Sequence, residues 1–311
     1  MRKVNRWTNI LLYAKDWGVS LTIKHYFLGL KHSLISEARL KIMRDKLIEQ
    51  KINLVKSLFL EDINDLNRKY QKKESSVRND VVWQYWDQIH KPELIEMCVA
   101  SVVKNSNQKC LELNDKILKK WYIPTITIKS KKDKGLITKT HFSDIIRVNL
   151  LYNYGGCWLD STLFLTSNID FIFDNEFWTI KIGNDDSPIK GNWAGFSLAT
   201  RQGNKLMYYL TNLFELYWER YDTMIDYFLI DIFIYILYSR DPDIKAMIDN
   251  VPQNNIHCIK LEEEINKHYQ EIPIEFNDTT LFKLNWKKPK IKEDGKGTTL
   301  YGRLIKQYFS E

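Results

Sequence analysis

The stretch His141–Thr166, HFSDIIRVNLLYNYGGCWLDSTLFLT, constrains this chain more than any other. It reads as a helix, a Gly-Gly stop and a short strand. Phe142, Ile145, Ile146, Val148, Leu150 and Leu151 make the helix apolar almost all round, and such a helix is buried. Asp144 and Arg147 stand three residues apart on it and share a face. Buried charges must be paired or face a ligand. From Asp144 to Tyr154 the helix runs roughly 15 Å. Gly155 and Gly156 permit a sharp reversal, because glycine tolerates positive φ. The segment CWLD then runs back roughly 10–13 Å as a strand. The spacing therefore predicts that Asp160 returns to Asp144 and Arg147 at a strand's carboxyl end.

Spacing alone leaves two readings of this trio. Arginine offers a planar fork suited to phosphate. Carboxylates suit sugar hydroxyls, or a divalent cation that neutralises phosphate. Together they fit a nucleotide-diphosphate sugar. The other reading is an Asp–Arg ion pair that pins helix to strand, with Asp160 capping the following turn.

With 311 residues, the chain has room for one large α/β domain or a domain with an appendage. Residues 1–78 read as a basic helical extension without Gly or Pro over most of its length, ending in the polar stretch QKKESSVRND. From Val81 strands and helices alternate. VVWQYW is a strand, Pro92 opens a helix, KCLELN is a second strand, DKILKKWY a short helix and PTITIK extended. After the Gly-Gly hairpin of helix and strand come TLFLT, FWTIKIG and NWAGFSLAT as strands. Two helices follow, roughly Asn204–Arg220 and Ile225–Arg240. Alternation of this kind argues for a sheet flanked by helices over residues 79–311. Ligands bind such sheets beyond the carboxyl ends of the strands, where Asp160 falls.

Charge is uneven. Residues 1–80 carry 17 Lys+Arg and 9 Asp+Glu, while the whole chain has a formal charge of +7. Trp7, Leu11, Leu12, Trp17, Leu21 and Phe27 are interleaved with that excess. A basic amphipathic segment of this kind can lie on an anionic membrane surface. It can also be a helical appendage packed on the main domain with a solvated basic face, and the two are compatible. No recognisable nucleic-acid-binding module is present, and the remainder is close to neutral. The longest apolar run, YFLIDIFIYILY, is short for a transmembrane span and holds Asp231. The start has no secretory pattern. Cys98, Cys110, Cys157 and Cys258 have neither metal-ligand spacing nor local pairing, which fits a reducing cytoplasm.

The central segment resembles the core motif of the capsular polysaccharide synthesis glycosyltransferases. These are similar in turn to mannosyltransferase-like and clostridial-toxin-like enzymes of GT-A fold, which show Ser-Asp-x-x-Arg, an apolar helix, Gly-Gly, an apolar strand and Asp-x-Asp. The resemblance is close over His141–Thr166 and weaker from Val81 to Lys288. It implies a GT-A-type α/β glycosyltransferase that moves a hexose from a UDP-sugar to a surface-polysaccharide unit with retention of configuration. It implies that Asp144 contacts the nucleotide, Arg147 the donor's sugar or phosphate, and Asp160 the donor or a Mn²⁺ or Mg²⁺ ion. Trp83, Gln84 and Trp86 would lie near the uracil base, an aromatic there being able to stack on it; each tryptophan reads equally as core. The motif's second aspartate is here Thr162, a weak neutral ligand, so the cation would rest on Asp160, Thr162, phosphate and water.

Further candidates have weaker support. Asp231 lies among apolar residues and is read as a catalytic or acceptor-side group. Asp226, about 140° away round a helix, reads as a helix cap. Lys283, Trp286 and Lys287 can clamp the leaving diphosphate or form a solvated turn. His257 and His268 could reach a metal or be structural. A lipid-linked acceptor at the inner face of the cytoplasmic membrane completes the expectation. Two competitors stand beside it. One is a hydrolase using Asp144 and Asp160 as paired carboxylates, weakened by Arg147, which would hold an acid's pKa down. The other is a non-catalytic membrane-associated assembly protein with a degenerate sugar-nucleotide site, favoured by Thr162.

Overall fold

A computed structural model describes residues 5–30, 35–71, 79–88, 90–183 and 191–309. The stretch at 72–78, where a domain boundary is expected, lies outside the described residues.

The N-terminal part forms three helices, α1 (Arg6–Trp17), α2 (Val19–Leu28) and the long α3 (Glu37–Lys69). The Ser36 hydroxyl caps α3 by accepting from the Arg39 N–H. Val55, Phe59, Ile63 and Leu66, spaced three or four apart, line one face of α3 and enter the same core as the sheet. These helices are therefore packed on the main domain rather than standing apart from it. Lys51 on α3 is buried and forms an ion pair with Asp226 at 2.6 Å. Tyr13 donates to the Ile225 carbonyl at 2.8 Å and Trp17 to the Thr223 hydroxyl at 2.8 Å. Trp17 is thus a core residue.

The sheet domain follows as β1 (Val81–Tyr85), α4 (Glu93–Lys104), β2 (Lys109–Leu113), α5 (Asp115–Leu118), α6 (Ile126–Asp133), α7 (Lys139–Tyr154), β3 (Gly156–Leu159) and β4 (Leu163–Leu165). It continues with β5 (Phe177–Thr179), β6 (Ser197–Thr200), α8 (Lys205–Arg220), α9 (Leu229–Tyr238), α10 (Pro242–Asp249), α11 (Leu261–Glu264), β7 (Leu281–Lys283) and α12 (Leu300–Phe309). Five strands form a mixed sheet in the order β2-β1-β3-β6-β5. β1 runs parallel to β2 and β3, and β6 runs antiparallel to β3 and β5. β4 and β7 form a separate antiparallel pair that puts Leu163 opposite Lys283. The expected α/β architecture with a helical N-terminal part is what the chain adopts.

Two local expectations fail. PTITIK is not extended but starts α6, because Thr125 caps the helix by accepting from the Ile128 N–H. Its β-branched residues favour strands only where a sheet surface receives them. The helix expected from Ile225 begins only at Leu229, since Asp226 turns back to accept the Phe228 N–H at 3.0 Å.

The glycine pair behaves as its position requires. Gly155 and Gly156 have φ of 71° and 97°. A Cβ on Gly156 would lie 2.5 Å from the Val81 carbonyl oxygen, on the neighbouring strand's backbone. Gly156→Ala should therefore combine a strained φ, costing roughly 1–3 kcal/mol, with a clash that the β1–β3 pairing cannot relieve. Urea unfolding should read a loss of at least about 2 kcal/mol, and a loss below about 0.5 kcal/mol would show that the reversal does not need glycine.

Candidate active site

The cavity of interest, about 770 Å³, opens beyond the carboxyl ends of β1 and β3. Tyr85 and Trp86 bring β1 to it, and Asp160, Ser161 and Thr162 follow from β3. The N-terminal end of α7 supplies Lys139, Thr140 and Ser143, and the loop after β7 supplies Trp286, Lys287 and Lys288.

Asp160 is the centre of the arrangement. Its Oδ1 accepts from Arg147 at 3.0 Å and from the Trp158 indole at 2.9 Å. Its Oδ2 accepts from the Lys283 ammonium at 2.6 Å. Burial pushes the Asp160 carboxyl up, but Lys283 and Arg147 reverse this and hold it below the usual carboxylate range. Asp144 lies 3.1 Å from the same guanidinium, and Arg147 also donates to the Gly195 carbonyl. Arg147 is only 4% exposed yet borders the cavity. The helix, the glycine reversal and the strand thus gather the trio that the spacing predicts.

The other expected residues divide cleanly. Arg147, Asp160, Thr162, Lys283, Trp286 and Lys287 border the cavity, as does Trp86. The Trp86 and Trp286 rings meet edge to face with centroids 5.4 Å apart. The buried Trp86 indole nitrogen has no partner. Asp144 is buried behind Arg147 and does not border the cavity. Trp83 is a core residue: it is fully buried and its indole donates to the Gly155 carbonyl at 2.9 Å, at the start of β3. Side chains alternate along a strand, so Trp83 and Gln84 cannot both face what Trp86 faces. Gln84 is buried with its amide nitrogen unpartnered and does not border the cavity.

Asp231 accepts from the Trp193 indole at 3.0 Å. A Cβ added to Gly195 would lie 3.4 Å from Arg147 Nη1 and 3.5 Å from Asp231 Oδ1, so both side chains meet at Gly195. Asp231 does not border the cavity and stands beside Arg147 at Gly195. Removal from water, followed by the charge of Asp144, pushes its carboxyl up to about 7. His257 and His268 pair with Asp278 and Asp294 and lie outside the cavity.

Sequence reasoning missed Tyr227, which borders the cavity just before α9, and Lys139, which pairs with Asp87 at 2.5 Å. It also missed Glu262, which accepts from the Asn285 N–H at 2.8 Å and from Lys290 at 3.1 Å and so holds the β7 loop. No short motif marks these residues.

The residues present do not fit the expected divalent cation. Such an ion takes several oxygen ligands, with carboxylates foremost. Both oxygens of Asp160 already accept from cations, and Thr162 offers no charge. Asp144 and Asp160 are paired with Arg147 and Lys283. Among the described residues, no group of three or more His, Cys, Asp or Glu could hold a metal.

Residues 36–304 match the family model described as capsular polysaccharide synthesis protein. The match covers most of the chain, which belongs to that family. It begins at Ser36, the cap of α3, in keeping with the packing of α3 into the main core. No curated protein matches the sequence. One solved structure, the PaToxG glycosyltransferase, is similar at 12% identity and a TM-score of 0.38, over 65% of this chain and 83% of that one. A likeness that slight carries no argument.

The raised carboxyl of Asp231 has a defined sign. A native pKa above the unfolded value gives stability that is complete below the unfolded pKa, near 3.8, and is lost as pH rises through about 7. Melting temperature should fall between about pH 5 and 8 in the wild type. Asp231→Asn, which stays neutral, should flatten that decline and melt above the wild type at pH 8. Parallel pH profiles of the two proteins would show that Asp231 is ionised throughout.

Proposed function

We propose that the protein is a glycosyltransferase that takes a hexose from a nucleotide-diphosphate sugar, a UDP-sugar foremost, and adds it to a surface-polysaccharide unit. The observation that carries this reading is Asp160 held between Arg147 and Lys283 at the wall of a cavity that also exposes Trp286. Trp86 and Trp286 offer aromatic faces on which a base can stack. Arg147, Lys283 and Lys287 offer cationic donors to the diphosphate. Membership of a capsule-synthesis family supports a glycan acceptor.

In this reading the bond between C1 of the sugar and the β-phosphate oxygen breaks through an oxocarbenium-like transition state. The diphosphate leaves with the bonding electrons, and Lys283 and Arg147 stabilise its charge. The acceptor hydroxyl forms the new C1–O bond, and its proton passes to a phosphate oxygen of the leaving group. Attack from the leaving-group face gives retention, as the resemblance implies. Asp160 orients both cations, and Asp144 and Asp231 hold Arg147 from behind.

Hydrolysis of a panel of nucleotide sugars without acceptor tests the reading, because transferases leak donor to water and a binding module does not. Asp160→Asn keeps the volume and removes the charge that fixes Arg147 and Lys283. Its turnover, read at a temperature where circular dichroism shows the variant folded, should fall at least hundredfold, about 2.7 kcal/mol in the barrier. A full panel without turnover would favour the assembly-protein reading, for which Thr162 in place of a second carboxylate speaks.

The partner surface belongs to the same proposal. α1 turns Trp7 and Leu11 outward at 72% and 70% exposure, and α2 does the same with Val19, Ile23 and Phe27. Each set is spaced four apart and lies along one helix face. The exposed Arg6 and Lys24 flank them. No described helix is long and apolar enough to cross a membrane. An apolar row with basic flanks suits the surface of an anionic bilayer, where each Lys or Arg contributes about 1 kcal/mol. Peripheral attachment at the inner face of the cytoplasmic membrane would bring the site to a lipid-linked acceptor. Truncation is a poor test, since α3 supplies core residues. Trp7→Glu with Ile23→Glu should instead abolish sedimentation with phosphatidylserine vesicles without lowering the melting temperature. Equal sedimentation of variant and wild type would exclude this face.

A further inference from the structure

We infer that Lys283 occupies the place a divalent cation would hold, so that the donor is bound and its diphosphate stabilised without metal. The inference rests on the donor reading above and concerns how that site works.

The position of Lys283 is built, not incidental. Register between β4 and β7 sets it opposite Leu163, three residues beyond Asp160. Its N–H donates to the Cys258 carbonyl at 2.7 Å. The next N–H, of Leu284, donates to the Thr162 carbonyl at 2.9 Å, so the segment carrying Thr162 is bonded directly to the segment carrying Lys283. The ammonium lies 4.6 Å from the Phe196 ring centroid and 2.6 Å from Asp160 Oδ2. An ammonium has three N–H donors. Asp160 takes one, and the side chain remains 25% exposed on the cavity wall with donors for phosphate oxygens.

Charge counting points the same way. A cation that bridges a carboxylate to a diphosphate needs one face on each. Lys283 has that geometry already, with Asp160 on one side and the cavity on the other. The same loop adds Lys287 and Lys288 at the cavity, and Glu262 fixes the loop through Asn285 and Lys290. Thr162 then needs no carboxylate: a second aspartate would serve a metal ion, and the ammonium makes that ligand redundant.

The test uses the full-length protein with uridine diphosphate and guanosine diphosphate as probes in isothermal titration calorimetry, once with EDTA and once with Mn²⁺. The expected result is binding of at least one probe with the same affinity, within about threefold, in both buffers. Lys283→Gln should weaken it at least tenfold, about 1.4 kcal/mol, in both buffers, while Lys283→Arg keeps most of it. Equilibrium dialysis of Mn²⁺ against the wild type needs no variant and should find no stoichiometric binding. Stoichiometric Mn²⁺, or nucleotide binding that EDTA abolishes and Mn²⁺ restores, overturns the inference and leaves the donor reading intact. Absence of binding for both probes in both buffers overturns the two together.

Discussion

The contact between Asp160 and Arg147, 3.0 Å long, ties the end of β3 to the middle of α7. Everything at the cavity is arranged around it. The helix is buried on nearly all sides, so the guanidinium has few routes to water and must find its partners in protein. β3 delivers one of them only because the chain reverses at Gly155 and Gly156, where backbone approaches leave no room for a side chain. Ile145, Ile146, Val148, Leu150 and Leu151 would still make a buried helix without the reversal, but Asp160 would not meet it. Packing and chemistry are therefore set by the same turn.

That turn was legible in the sequence because all its parts are local: helix rise, glycine freedom and strand rise suffice to bring Asp160 back. Residues joined by distant pairing were legible only as types. Lys283 stood out as a basic residue near two others, but its contact with Asp160 depends on β4 pairing with β7, which no local period encodes. The tryptophans show a related limit. Trp83 lies inside β1, whose five residues are all buried, whereas Trp86 follows the strand's last residue and reaches the cavity, and nothing in VVWQYW says where the strand ends. Tyr227 was hidden because the helix there was expected to begin at Ile225, whereas the segment before Leu229 is irregular and brings Tyr227 to the cavity.

The N-terminal helices show why charge alone misleads about surfaces. Lys51 counts toward a basic segment, yet it is buried and neutralised by Asp226. A buried pair of this kind gives little net stability but is costly to break from one side, so it fixes α3 against the start of α9. The anchor residues Tyr13 and Trp17 of α1 bond to Ile225 and Thr223 in the same connection. That connection leads directly to Tyr227 at the cavity. The faces of α1 and α2 left outward carry the apolar rows, which composition could count but not orient.

Electrostatics at the trio closes on a simple balance. Three carboxylates, Asp144, Asp160 and Asp231, converge on Arg147, and one guanidinium cannot neutralise three anions in a site with little water. Lys283 takes up one charge at Asp160. Burial and the charge of Asp144 push the Asp231 carboxyl up to about 7, while its indole partner Trp193 and Arg147 pull the other way. Asp144 and Asp160 stand against Arg147 and Lys283, and both cations border the cavity. In the donor reading proposed above, these are the cations that would face the diphosphate. In that reading the carboxylates that orient the cations would belong to the site as much as the cations do.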